Sequence, residues 1–314
     1  MILKRLFYGL AAVLIVYFAM NFGKDVFLNA RKGDLPKEID KVSNSAIDSS
    51  KNSDGEALFE EQGQKKTLNA KAGVVIMADT GKIIFAENAF DALPMASLTK
   101  IMSAMVALDQ KIDLDRAVSI SPDDYTIGGN LRIVPGMEKV SMKDLFYASI
   151  TGSANNAALA IAQNTNLNTE QFTEQMNRKA VELNLESLHY EEASGLSSKN
   201  IGSAYDIARV ASFAFKNYPL ILDAASQATY PIRTLNTKRE HIIKNPDDLF
   251  ETAPGAFLAS KTGYLDEALY CLILAKKTPR GMIIAVTLGN PSEQDSENET
   301  LRILSEGEKN IANY

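Results

Sequence analysis

The sequence predicts an α+β fold, an antiparallel sheet flanked by helices with a helical subdomain inserted in its middle. Three observations predict it. Strand-like runs stand at both ends of the globular region, amphipathic helical runs fill the space between them, and tight-turn residues join neighbouring strands. "AGVVIMAD" (72–79) and "IIFAEN" (83–88) flank Thr80-Gly81-Lys82, which reads as two strands and a turn. A helix follows from Ser97 to about Asp109. Helical apolar spacing recurs in "MKDLFYASI" (142–150) and, after a break at Thr151-Gly152, in "SANNAALAIAQ" (153–163). "TEQFTEQMNRKAVELNL" (169–185) and "SAYDIARVASFAFK" (203–216) continue that pattern. The last third turns to strands: "EHIIK", "AFLASKTG", "ALYCLILAKK" and "GMIIAVTLG", with Thr278-Pro279-Arg280-Gly281 turning between the last two. A polar helix from about Ser292 closes the chain.

Bulk composition narrows the chemistry. The 314 residues carry a net charge of −6, which argues against a nucleic-acid surface as the main partner. A single cysteine, Cys271, excludes an internal disulfide, and its apolar surroundings suit a packing role. The two histidines, His189 and His241, belong to no His-Glu-x-x-His pattern, so zinc chemistry and a Ser-His-Asp triad lack material. No metal and no cofactor are expected, and a serine enzyme built from this chain needs a base other than histidine.

The N-terminal region reads as an anchor and a tether. Lys4 and Arg5 precede eighteen uncharged residues, Leu6 to Gly23, a length at the short end for a membrane-spanning helix. No small-x-small cleavage site follows, so residues 1–30 are expected to be an uncleaved anchor, with a cleaved signal peptide as the alternative. Residues 31–68 are polar, rich in Ser, Asp and Lys, and non-periodic. Such a coil has an end-to-end distance of roughly 35 Å, enough to hold a domain over residues 69–314 clear of a membrane surface.

The stretch "PMASLTKIMSAMVAL" (94–108) sets a lysine three residues after a serine on a helix that is otherwise almost wholly apolar. The plain alternative makes Ser97 a helix cap and sends Lys100 out to solvent. The chemical reading joins them. Residues three apart share a helix face, burial among Met, Ile, Ala and Val favours the neutral amine, and a neutral amine beside a hydroxyl is a base beside a nucleophile. Two further short patterns occur in order. Ser153-Ala154-Asn155 stands at a loop-to-helix junction and Lys261-Thr262-Gly263 at the end of a strand. Ser-x-Asn also begins at Ser50, Ser198 and Ser296, whereas Lys-Thr-Gly occurs once.

Together these elements resemble the serine penicillin-recognising enzymes, and most closely the low-molecular-mass D-alanyl-D-alanine carboxypeptidases. The resemblance runs from about Gly73 to Gly289. It includes "RIVPGMEKVSMKDLFYASITGSANNAALAIA" (132–162), "EASGLSSKNIGSAYDIARVA" (192–211) and "SKTGYLDEALYCLILAKK" (260–277). It implies a β-lactamase/transpeptidase-like fold, a periplasmic peptidase anchored in the bacterial envelope, stem peptides of peptidoglycan as substrate and β-lactams as inhibitors. It also implies roles. Ser97 attacks the D-Ala-D-Ala bond and becomes acylated, Lys100 takes its proton, and Ser153 relays a proton to the leaving amine. Asn155 bonds Lys100 and the substrate backbone, Lys261 and Thr262 hold the terminal carboxylate, and Gly263 lets substrate lie flat. The amides of Ser97 and Tyr264 form the oxyanion hole, and the charge of Lys261 helps hold the Lys100 pKa down.

Three departures accompany the match. Asn156 stands where the family has Asp after Ser-x-Asn, and "KNPDDL" (244–249) stands where it has Asn-x-Asn, bringing Asp247 and Asp248 near the cleft. The fifty or so residues after Lys-Thr-Gly are expected to leave no room for the family's further β-domain. A DD-endopeptidase, which cuts cross-links, is the same chemistry with another leaving amine. A class A β-lactamase would need a Glu-x-x-x-Asn loop, which does not occur between Asn156 and Ser260. A non-catalytic peptidoglycan-binding module leaves Lys100, Ser153 and Lys261 unexplained as a set.

Overall fold

The computed structural model describes residues 67–126 and 131–312. The anchor expected over 1–30 and all but the last two residues of the tether lie outside them. Leu68, placed by the sequence in the tether, is buried in the fold, and its amide donates to Glu87 Oε1 at 3.0 Å.

The chain begins with strands β1 (Ala72–Met77) and β2 (Ile83–Glu87), which pair antiparallel around the expected turn, and a short β3 (Ala92–Pro94). The expected helix from Ser97 is split. Ala96–Thr99 winds as a 3₁₀ turn, and the α-helix α1 runs from Lys100 to Asp109. The tighter turn has three residues per turn, so Ser97 and Lys100 remain on one side. Next come β4 (Ala117–Val118), α2 (Pro122–Thr126) and β5 (Val140–Ser141). Three helices follow at the expected places: α3 (Met142–Ile150), α4 (Asn155–Gln163) and α5 (Thr169–Glu182). Their starts show why. Ser141 with Asp144 and Asn168 with Gln171 form capping boxes at α3 and α5. A short β6 (Ile201–Ser203) leads into α6 (Ala204–Asn217), capped by Ser203, and Pro219 opens α7 (Pro219–Ala225).

"EHIIK" is a strand, β8 (Glu240–Lys244), but it does not join the main sheet. It pairs with β7 (Thr229–Arg233) in a separate hairpin. Ile232 and Ile243 are its buried residues, and Tyr230 stacks on Tyr147 of α3 at 4.0 Å between centroids. A single turn, α8 (Leu249–Thr252), precedes the closing strands β9 (Ala259–Leu265), β10 (Leu269–Thr278) and β11 (Gly281–Asn290) and the helix α9 (Glu293–Ala312).

The five-stranded sheet has the order β2-β1-β11-β10-β9, antiparallel throughout. Both chain ends therefore build it, as expected, and β9 is an edge strand. Alternation with period two divides its side chains between two cores. Val75, Leu274, Ile283 and Ala285 pack with Ile303, Leu304 and Ile311 of α9. Val74, Ile76, Ile273, Ile284 and Val286 belong to the larger core shared with the helical half. There α1 is central, contacted by α3, α4, α5, α6 and α7. Its residues Lys100 to Ala107 are all buried, as an apolar helix with no solvent face must be. Each Ile or Met enclosed in this way contributes roughly 1.5–3 kcal/mol. That surround desolvates a lysine at the start of the helix.

Candidate active site

Where the 3₁₀ turn meets α1, the side chains do not cap. Neither cap position, Met95 or Thr99, makes a side-chain capping bond, and Ser97 Oγ instead accepts from Lys100 Nζ at 2.7 Å. The solvated alternative for Lys100 also fails, since the residue is 0% exposed. Its ammonium group has two more acceptors, Asn155 Oδ1 at 2.7 Å and the Ser194 carbonyl at 2.5 Å. Burial lowers the Lys100 pKa to about 7, with the charge of Glu192 acting in the opposite direction.

Ser153 lies at the expected loop-to-helix junction, although the helical run begins two residues later than its apolar spacing suggested. α4 starts at Asn155, and Ser153 precedes it with φ +55°, a left-handed conformation rare outside glycine. Ala96, just before Ser97, has φ +47°. Each conformation costs on the order of 1 kcal/mol, and Ser153 lines the same cleft as Ser97, the residue after Ala96. Ser153 Oγ accepts from Lys261 Nζ at 2.7 Å, and Lys261 also donates to the Thr262 carbonyl at 2.8 Å.

Lys261 was expected at a strand end. It lies inside β9, opposite Ile273 of β10, which belongs to the core shared with the helical half. It is 1% exposed, so it is not a solvated lysine either. Burial is the main cause lowering the Lys100 pKa, and repulsion between the two buried ammonium groups, the influence expected of Lys261, adds to burial in holding Lys261 well below the usual lysine range. Gly263 follows, and an added Cβ would lie 3.1 Å from the Ser97 amide nitrogen and 3.2 Å from Ala96 Cβ. Only a bare backbone lets the edge strand run this close to the 3₁₀ turn.

All eight residues singled out in the sequence come together. Ser97, Ser153, Asn155, Thr262, Gly263 and Tyr264 line one cleft of about 360 Å³, with Lys100 and Lys261 buried beside it. Ser198 lies in the loop 191–200 and does not line it, while Asn200 is buried as a structural residue. Asn156 is fully buried, and its Nδ2 donates to the Leu131 carbonyl at 3.0 Å, a bond that a carboxylate could not make. Among the described residues no cluster of His, Cys, Asp and Glu could hold a metal ion.

Sequence reasoning missed two features. Glu293 and Glu297 of α9 line the far end of the cleft. Burial, then repulsion from Asp247, Asp248 and Glu293, raises the Glu297 pKa. Nothing local to a polar closing helix marks it as a cleft wall. The second feature is the turn after Glu192, whose Ser194 carbonyl reaches Lys100. The segment "EASGL" was part of the resemblance, but a backbone acceptor leaves no side-chain signature.

Comparison with known proteins identifies the family. A family model described as D-alanyl-D-alanine carboxypeptidase matches residues 59–292. The D-alanyl-D-alanine carboxypeptidase DacF of Bacillus subtilis is 30% identical over 257 residues, which cover 79% of this chain and 65% of that protein. The chain thus spans just under two thirds of that relative. A D-alanyl-D-alanine endopeptidase of Pseudomonas aeruginosa is 30% identical over 229 residues, covering 71% and 72%. Among solved structures, the Streptomyces K15 DD-transpeptidase superposes with a TM-score of 0.72 at 26% identity, covering 78% of this chain and 99% of that one. The fold is therefore the penicillin-binding, β-lactamase-like one, and the chain belongs to the D-alanyl-D-alanine carboxypeptidase family of serine peptidases.

Proposed function

We propose that this protein is a penicillin-sensitive serine carboxypeptidase that removes the terminal D-alanine from peptidoglycan stem peptides through an acyl-enzyme. The observation that carries the reading is a buried lysine, its pKa lowered to about 7, 2.7 Å from the Ser97 hydroxyl. In its neutral form Lys100 takes the Ser97 proton as Oγ adds to the penultimate D-alanine carbonyl carbon. The oxyanion is held by the amides of Ser97 and Tyr264, each such donor contributing roughly 3 kcal/mol. As the tetrahedral species collapses, the C–N bond breaks and the amine leaves as D-alanine. The proton that Lys100 took passes through Ser153, which bonds Lys261, to the leaving amine, and this returns Lys100 to its neutral form. Lys261 and Thr262 hold the free terminal carboxylate, which confines cleavage to chain ends, and Asn155 holds Lys100 and the substrate backbone. Water then hydrolyses the ester, with Lys100 again the base.

The same amine sets the pH dependence. Only neutral Lys100 accepts the proton, so the acylation constant falls as pH drops through about 7 and levels off above it. A profile of penicillin acylation against pH checks this, and an acid limb below about pH 5 would remove Lys100 as the base. Mass mapping tests the nucleophile. The penicilloyl adduct belongs on the tryptic peptide 83–100, where Ser97 is the only serine.

The endopeptidase reading has a specific observation behind it, the 30% identity to the Pseudomonas aeruginosa endopeptidase. Incubation with a pentapeptide and with cross-linked muropeptides separates the two. D-Alanine release from the first without cleavage of the second supports the carboxypeptidase, and the reverse supports the endopeptidase. We also propose that residues 1–30 anchor the protein in the cytoplasmic membrane, with the catalytic domain on the periplasmic side beyond the 31–68 tether. The support is the uncharged run Leu6–Gly23. Among the described residues no helix is long and apolar enough to span a bilayer. Release of the full chain from membranes by a high-salt or carbonate wash would overturn the anchor.

A further inference from the structure

The segment 191–200 is pinned at both ends to the junction of the 3₁₀ turn and α1. Ser103 Oγ donates to the Ala193 carbonyl at 2.6 Å, and Asn200 Nδ2 donates to Thr99 Oγ1 at 3.2 Å. Between these pins the chain wraps around one carboxylate. Glu192 Oε2 accepts from the amide and the hydroxyl of Ser194 at 2.6 and 2.5 Å. Glu192 Oε1 accepts from the amides of Gly195 at 2.5 Å, Leu196 at 2.9 Å and Ser197 at 3.4 Å, and from Asn200 Nδ2 at 2.9 Å. Successive N–H groups turned onto one anion form a nest. With its N–H and O–H both committed to Glu192, Ser194 presents its carbonyl to Lys100 Nζ.

We propose that Glu192 is a positioning residue for Lys100: by gathering the amides of 194–197 it fixes the Ser194 carbonyl, which holds the lysine amine facing Ser97 Oγ. The inference rests on the proposed reaction, in which Lys100 is the base. A carbonyl suits this task because it orients the amine without pairing with it as an ion. A carboxylate directly on Nζ would stabilise the charged form and spoil the base. The Glu192 carboxylate stands two residues before that carbonyl, taken up by its own amide donors.

The groups facing Lys100 separate position from charge. α4 contributes the neutral amide of Asn155, β9 the ammonium of Lys261, and the 191–200 segment the Ser194 carbonyl and the Glu192 charge. Of these, Glu192 favours the protonated amine, against burial. Glu192→Gln therefore has two effects. It removes that charge, so the acid limb moves to lower pH. It also replaces acceptor oxygen with an NH₂ group facing N–H donors, so the turn loosens and the plateau falls. Glu192→Asp keeps the charge but cannot reach the same amides, so the plateau falls and the limb stays.

The test is the acylation constant of the full chain with a chromogenic β-lactam, measured from about pH 5 to about pH 9. We expect Glu192→Gln to lower the plateau about tenfold to a hundredfold and to move the limb down by about half a pH unit or more. Glu192→Asp should lower the plateau similarly with the limb unmoved. A folded Glu192→Gln with the wild-type plateau and limb would overturn the proposal. So would losses in both variants that only track the folded fraction seen by circular dichroism. If Glu192→Gln does not fold, Glu192→Asp decides, and a plateau within about twofold of wild type sinks the idea. Wild-type protein that does not acylate at all would instead overturn the reaction, leaving this turn a structural one.

Discussion

Lys100→Met lowers penicillin acylation by about 10³- to 10⁴-fold and at the same time makes the protein more stable. The kinetic loss follows because the variant has no group to take the Ser97 proton, while the oxyanion donors and the carboxylate site are left intact. The acid limb near pH 7 disappears with it, since the titrating amine is gone. The stability gain follows from the burial that makes Lys100 useful. The folded pKa is about 7 against an unfolded value of 10.5. Below about pH 7 both states bind the proton. Between about 7 and 10.5 the unfolded chain holds a proton that the folded chain lacks, so stability rises with pH through that window. At neutral pH the penalty is on the order of 4 kcal/mol, partly offset by the three hydrogen bonds of Nζ. Methionine fills similar space without the amine, so a net gain of about 2 kcal/mol and a Tm higher by roughly 4–8 °C are expected. Stopped-flow acylation and thermal unfolding on the same preparations check both halves. A variant with wild-type acylation, or one that melts lower, would show that the amine is not the desolvated base described here.

Gly195→Ala has the opposite stability effect and also removes activity. Gly195 has φ +89°, and a Cβ there would lie 2.0 Å from the Ala96 carbonyl oxygen and 2.8 Å from the Ser97 amide nitrogen. Both are backbone atoms, so no side-chain rotation relieves the overlap. Either the 192–197 turn or the strained Ala96–Ser97 turn must move. We expect a loss of about 3 kcal/mol or more, a Tm lower by roughly 6–12 °C, and acylation down by more than about a hundredfold. The kinetic part follows because a shift of about 1 Å at the nucleophile is enough to spoil its alignment. Thermal unfolding and acylation of the folded fraction measure the two effects. A Tm within about 2 °C of wild type would mean that the turn is not seated against Ala96.

The legible parts of this protein are the local ones. Strand runs such as "GMIIAVTLG" and the helix "MKDLFYASI" follow from the period of their apolar residues and from turn and cap chemistry a few residues away. "EHIIK" shows the limit. Its alternation makes a strand, but nothing within five residues says that its partner is β7 rather than the main sheet. The 3₁₀ turn at Ala96–Thr99 was invisible for a related reason. Its shape comes from Gly195 and Gly263 pressing on it from 99 and 167 positions away in the chain.

By itself the sequence determined which side chains are candidates for chemistry and which elements carry them. Residue type and spacing within a turn of helix are local quantities, so Ser97 with Lys100, Ser153 with Asn155, and Lys261 to Gly263 could be read directly. Only the tertiary structure decided the surroundings of these groups. It buried Lys100 at the hub of five helices, set Lys261 against Ser153, and folded the Glu192 turn over the Lys100 amine. Desolvation and electrostatic field depend on everything within several ångströms, whatever its distance along the chain, so no local pattern could encode them.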